Sequence, residues 1–564
     1  MNQLDVRNFS GQRFKAVLCL SAPNTGNFIL SLPYWGTLGF IALACADIAS
    51  MIAMNVARLH IAVLPFVFAA FFIAFAMIVR STVPAPRNAP ALPRRDIMAL
   101  VLMAIFFSTF CALARISYII DPFFNKLAPV VCSDDLWHIQ EISSLVNSDR
   151  YPAVSSFAPG KYLSFYYAAW MFPSALYKAA SFLTIKAAFG LSLFVYTFAV
   201  VLTLCHLSIQ TARSTKHIVF GLFLVGLYSG LEPFYPFQSH SWMRRFGFAV
   251  QFSNFPVLIL WVMHHLLAAV ALVTVLYLLR QSEVKNWWLF AVVAPLLVVF
   301  AFYSSVFVSL SALPLLLFVW VKAFRSSHFH ALAFAATCTV LTFSILWLYL
   351  GRSSGFIVMH HGAHLGSRHF GLFGGFIIFV VLIAVNFAPH VWASLRMLHR
   401  SSSLEDKILA IYCLLYLIST YFIGFPGANN YAMRGAILPV MLLGWTAAKY
   451  LAELKVRPVL CVLAFMTCLA SLGEVAYFDA HAMVFTYREF HSSVTERDAI
   501  QSWNKDRNMQ QPPAATVQRL IDADDTKRSF YLLERIVYGV HGPLHPSDLE
   551  LINNGPYGVW DWQK

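Results

Sequence analysis

Charge is what this sequence has least of. Asp, Glu, Lys and Arg together make 12% of its 564 residues, about half the share in a soluble globular chain. So few charges cannot cover the surface of four water-soluble domains, the number its length would otherwise suggest. Disorder, coiled coil and collagen are excluded with them. No C-x-x-C pair is present among the nine Cys, and most of these lie inside apolar runs, so the sequence gives no sign of a structural zinc site, a redox motif or a disulfide scaffold. A P-loop, a helix-opening G-x-G-x-x-G, an H-E-x-x-H and a G-x-S-x-G are all missing. The N-terminal stretch, with Arg7, Arg13 and Lys15, has no short apolar core with a cleavage site and does not read as a signal peptide.

What is present is apolar: 59% hydrophobic residues, 16% aromatics and a mean hydropathy of +0.66. The class is an all-α polytopic membrane protein. Apolar runs long enough to cross a bilayer are expected near 29–52, 59–79, 97–118, 186–207, 217–231, 254–279, 286–303, 305–323, 328–350, 372–392, 408–424, 435–452 and 458–476, about thirteen spans. The net charge of +14 belongs to loop Lys and Arg rather than to a nucleic-acid surface.

Residues 162–181 are apolar but carry Pro173 and Lys178, and their fate sets the side of every later loop. If they lie along the surface, twelve Lys and Arg fall in the later loops on one side. Five (Arg244, Arg245, Arg352, Arg368, Arg434) fall on the other. The positive-inside rule then places the N-terminus inside and the C-terminus outside. The chain divides into spans one to three (1–118), a large outer loop (119–185), the remaining spans (186–476) and an outer C-terminal segment (477–564).

Chemistry-bearing residues gather in the outer loops. Asp134, Asp135, Trp137 and His138 follow the third span. Ile139, Ile142, Leu145 and Val146 then recur at helical spacing, predicting an amphipathic helix over 135–147. One carboxylate suits its N-cap and the other a general base at the membrane surface. Asp135 stands three residues before His138, on the same helix face. Glu232 ends the fifth span and is followed by Pro233, and Arg244 and Arg245 come next. Arg434 enters the twelfth span after an irregular turn with Asn429, Asn430 and Tyr431, and an arginine at that depth needs an anionic partner. Plainer roles exist for each: helix capping, a solvated helix end, contact with ordinary lipid. His360, His361, His364 and His369 are dense, but interspersed glycines favour a mobile cover over a metal site. The only acids within the spans are Asp47 and Glu474, and buried ionisable groups are fewer than an ion-coupled transporter usually carries.

This pattern resembles the GT-C superfamily of integral-membrane glycosyltransferases. Asp134-Asp135 with Trp137-His138 and Tyr151-Pro152 look like the first-loop acidic pattern. Pro159-Gly160-Lys161-Tyr162 looks like its downstream part, Leu231-Glu232-Pro233 like the second acidic site, and Arg434 like the late arginine that holds a donor phosphate. One departure is that the loop follows the third span, where the family usually places it after the first. The resemblance implies a polyprenyl-phosphate sugar as donor and a glycan, lipid or protein acceptor. It implies outer-face juxtamembrane helices and inverting transfer on the periplasmic side of a bacterial inner membrane. Asp135, Asp134, Glu232 and His138 would be catalytic. Arg434, Lys161, Arg244, Arg245, Tyr162, Asn430 and Tyr431 would bind substrate. A divalent cation is required in some members and not in others. The competing expectation is a transporter or flippase for a lipid-linked or small polar substrate.

Overall fold

The computed structural model describes residues 25–83, 94–116, 185–211, 262–281, 286–323, 328–350, 367–400, 404–423 and 431–453, parts of 138–183, and single residues at 221–225 and 258. The described residues are helical, and their only β pairing is one isolated bridge, His60 to Arg150. In chain order the helices are α1 (Thr25–Val56), α2 (Leu64–Thr82), α3 (Arg94–Ile116), α4 (Met171–Ala179), α5 (Ile185–Thr211), α6 (Met263–Gln281), α7 (Ala294–Ser304), α8 (Val306–Ala323), α9 (His328–Leu350), α10 (Ser367–Asn386), α11 (Ala388–Arg400), α12 (Leu404–Ser419) and α13 (Ile437–Glu453). Four described helices are long and apolar enough to cross a membrane, or five if the bent pair α10–α11 counts as one.

Burial separates an inner from an outer ring. In α1 and α5, 83% and 78% of the apolar window is buried, against 22% in α2 and 17% in α9. The peripheral helices expose apolar side chains in stripes. On α10 these are Phe373, Ile377, Val381 and Val385, four residues apart and therefore one above another. Such a belt would be an association patch in water and is an ordinary outer surface in lipid. Inside the bundle, several hydroxyls bond to their own helix: Thr37 donates to the Pro33 carbonyl at 2.9 Å and Thr203 to Ala199 at 2.7 Å. Gly36 lets α1 touch α5, because a Cβ there would collide with the Leu202 side chain.

Two ends of the bundle can be told apart by their contacts. At one, the C-terminal carbonyls of α2 are capped by side chains: Asn286 Nδ2 donates to Thr82 O at 2.8 Å and the Tyr34 hydroxyl to Val83 O at 3.1 Å. At the other, the turn after α1 is tied to the long loop, with Ile61 N–H donating to Asp149 O and Tyr151 N–H to Leu59 O. The long loop therefore sits over the end of α1 that lies away from Tyr34. Within it, α4 has nine residues, roughly 14 Å of helix and too short to cross about 30 Å of hydrocarbon.

Two expectations change. The tract 372–392 is not one straight span: the helix stops at Asn386 and resumes as α11 after a bend of 96°. Pro389 explains the break, since it has no N–H for the carbonyl one turn earlier and is best placed in a helix's first turn. The helix around 138–147 is also more enclosed than an amphipathic surface helix. Ile142, Leu145 and Val146 are buried as expected, but so are His138, Glu141, Ser144 and Ser148.

Candidate functional site

The enclosed polar face of this helix begins with His138 and Glu141, three residues apart and 3% and 2% exposed. Glu141 Oε2 lies 3.4 Å from His138 Nδ1 and accepts the Trp170 indole N–H at 2.5 Å. A carboxylate buried among rings is costly unless its oxygens are bonded, and both neighbours meet that need. The His138 ring packs on Trp170 at 4.7 Å between centroids and on Phe189 of α5 at 6.1 Å. With Nδ1 facing the carboxylate, a neutral His138 carries its proton on Nδ1 and donates it to Glu141.

A second pair closes on the first. His264 and His265 open α6, with ring centroids 4.0 Å apart, and the His264 ring stands edge-on to His138 at 4.9 Å. His265 lies beside the backbone of Ser304, the last residue of α7. Arg434 and His138 are both near enough to act electrostatically on His264 and His265. Arg434, half-buried, lies in the turn between α12 and α13. That turn is fixed by Tyr431, whose ring stacks on Tyr416 at 4.9 Å and whose hydroxyl shares a hydrogen bond with Ser419 at 3.0 Å. Gly435 is required there, because a Cβ would fall 2.6 Å from the Tyr431 carbonyl oxygen and against the Tyr416 hydroxyl.

Of the residues expected from sequence, His138 and Arg434 are thus brought to the same His264–His265 pair, and Tyr431 is placed in the turn that carries Arg434. Asp134, Asp135, Lys161, Tyr162, Glu232, Arg244, Arg245 and Asn430 lie outside the described residues, as do the histidines at 360, 361 and 364, the apolar tract 458–476 and the segment 477–564. Glu141, Trp170, His264 and His265 were not singled out. Glu141 had a visible signal, the i+3 spacing from His138. His264 and His265 sit in the apolar run VLILWVMHHLLAAV and read there as part of a span. Among the described residues, no group of three or more His, Cys, Asp or Glu is arranged to hold a metal ion.

Asp47 of α1 underlies the cluster. It is fully buried, accepting the Phe172 backbone N–H at 2.9 Å on Oδ1 and the Tyr196 hydroxyl at 2.5 Å on Oδ2. Tyr196 also reaches the Ala169 carbonyl at 3.1 Å. These bonds fix the segment 168–172, and with it Trp170, against α1 and α5. The lone carboxylate within the described spans thus has partners on both oxygens and serves as an internal anchor.

No family model, curated protein or solved structure matches the chain.

Proposed function

We propose that the chain is a membrane glycosyltransferase of the GT-C type, which moves a sugar from a polyprenyl phosphate to an acceptor hydroxyl with inversion. The observation that supports this best is the convergence of His138, held by Glu141, with the half-buried Arg434 on the His264–His265 pair at one end of an apolar bundle. A lipid-linked phosphate needs such a place: a permanent cation for the phosphate, proton-accepting groups beside it and lipid within reach.

In the proposed reaction the acceptor oxygen forms a bond to the anomeric carbon as the bond from that carbon to the phosphate oxygen breaks. The hydroxyl proton passes to a carboxylate, Asp135 in preference to Asp134, and polyprenyl phosphate leaves with its charge met by Arg434. Asp134 caps the helix that carries His138. Glu232 positions the acceptor, and Lys161, Arg244 and Arg245 supplement the phosphate contacts. In this reading the chain has thirteen spans, lies in a bacterial inner membrane and opens its site to the periplasm.

The test is transfer from a polyprenyl-phosphate sugar by purified single variants. Asp135→Asn should abolish turnover while the protein stays folded, and Asp134→Asn should cost about 1 kcal/mol of local stability and less activity. Full activity in both variants ends the mechanism.

A further inference from the structure

The end of the bundle opposite the His138 cluster carries a feature that the proposed reaction does not use. The C-terminus of α12 meets Tyr431 and so points toward Arg434, which puts the N-terminus of α12, and α11 just before it, at the far end. There α11 turns by 96° from α10 and runs across the bundle. Its faces are cleanly divided. His390, Ala393, Ser394 and Met397 are buried against the bundle, where α11 packs on α12 and α13, and His390 Nε2 lies 3.3 Å from Leu224 O. Leu395, Arg396 and His399 are exposed, Leu395 by 55%, and the Arg396 guanidinium sits 5.7 Å from the Trp392 ring centroid.

This is the composition of a helix in a bilayer interface. A leucine and a tryptophan can enter the acyl boundary, and an arginine stacked on that tryptophan is held at phosphate depth. A helix leaving a lipid-striped span at nearly a right angle is directed along the membrane plane. Arg400 and Lys407 add positive charge in the adjoining sequence, while Glu405 and Asp406 stand in the first turn of α12, where acids complement that helix's own dipole. The exposed side of α11 itself holds no acid.

We infer that α11 is an interfacial anchor whose exposed face, centred on Arg396 and bordered by the half-buried Trp392, binds the headgroups of acidic phospholipids. The inference is independent of the glycosyltransferase reading.

The experiment is native mass spectrometry of the purified full chain in neutral detergent, titrated with phosphatidylglycerol and, separately, phosphatidylcholine. Wild-type protein should retain phosphatidylglycerol preferentially. Arg396→Gln should weaken that retention roughly fivefold, the effect of one basic charge at a membrane surface, and leave phosphatidylcholine unchanged. Arg396→Lys should bind as wild type, which separates lost charge from misfolding. Arg58→Gln, which removes an exposed arginine from the turn after α1 at the other end, should change nothing. Equal retention by wild type and Arg396→Gln, or an equal loss in Arg58→Gln, overturns the inference. A changed oligomeric state in Arg396→Gln with lipid retention intact also overturns it, in favour of a second copy as the occupant.

Discussion

The indole N–H of Trp170 and the imidazole Nδ1 of His138 address the same atom, Oε2 of Glu141, from 2.5 and 3.4 Å. The three residues are therefore one unit. Trp170→Phe should cost about 1–3 kcal/mol, because it takes the hydrogen-bond donor from a buried acceptor. Glu141→Gln should cost a similar amount, and the double variant clearly less than the sum, with a coupling of about 0.5–3 kcal/mol. Thermal unfolding in detergent measures all three, and additive losses would show that the contacts are independent.

The donor-phosphate role proposed for Arg434 is tested by keeping its charge and changing its shape. Arg434→Lys should raise KM for a polyprenyl-phosphate sugar about tenfold or more, because an ammonium cannot make two parallel hydrogen bonds to phosphate. Unchanged donor kinetics would remove Arg434 from the site.

Asp47 separates a structural carboxylate from a transport group. Asp47→Ala should destabilise the protein by about 2–5 kcal/mol, since the Phe172 N–H loses its acceptor and the Tyr196 hydroxyl keeps only the longer of its two bonds, to the Ala169 carbonyl. Asp47→Asn, which keeps one acceptor oxygen, should cost less. Detergent-solubilised melting curves give the order of the two variants, and wild-type melting in Asp47→Ala would contradict the anchor.

Alkaline pH should loosen the long loop. Burial raises the Tyr151 hydroxyl well above its usual pKa, with Tyr167 nearby adding to the shift, and burial raises Tyr167 as well. Below about pH 10 both residues are protonated whether folded or unfolded, so their contribution is intact. Above it the unfolded chain releases protons that the folded chain keeps, and stability falls as pH rises. Tyr151→Phe should flatten the fall in unfolding midpoint between about pH 10 and 11, where only the unfolded tyrosines ionise. An unchanged slope would contradict it.

Helices were legible in the sequence where a single solvent acts on a whole segment. Lipid demands long apolar runs, so 328–350 and 305–323 match α9 and α8 to within a residue. The bend at Phe387 was missed because hydropathy continues across it, and only Pro389 marked the place. The site was legible in part. His138 and Arg434 stood out as polar groups at span ends, where a cost must be met by function or by a partner. His264 and His265 did not, because a histidine inside an apolar run acquires its meaning from what packs beside it. That neighbour, His138, comes from a distant loop. Glu141 lay between the two cases: its spacing from His138 was visible, but its bond to Trp170 depends on a segment 29 residues away.

The Asp47 anchor also bears on how the chain is made. Its partners lie 125 and 149 residues further along, at Phe172 and Tyr196. When α1 enters the bilayer neither has been synthesised, and Asp47 lies nine residues from the end of that helix, roughly 14 Å, or near the middle of the hydrocarbon. An aspartate at that depth opposes insertion by roughly 2.5–3.5 kcal/mol. The first described span is therefore left with an unmet acid until the fifth helix arrives. Its final seating waits on translation of the segment that completes the site, which links membrane integration of the N-terminal helices to assembly of the His138 cluster.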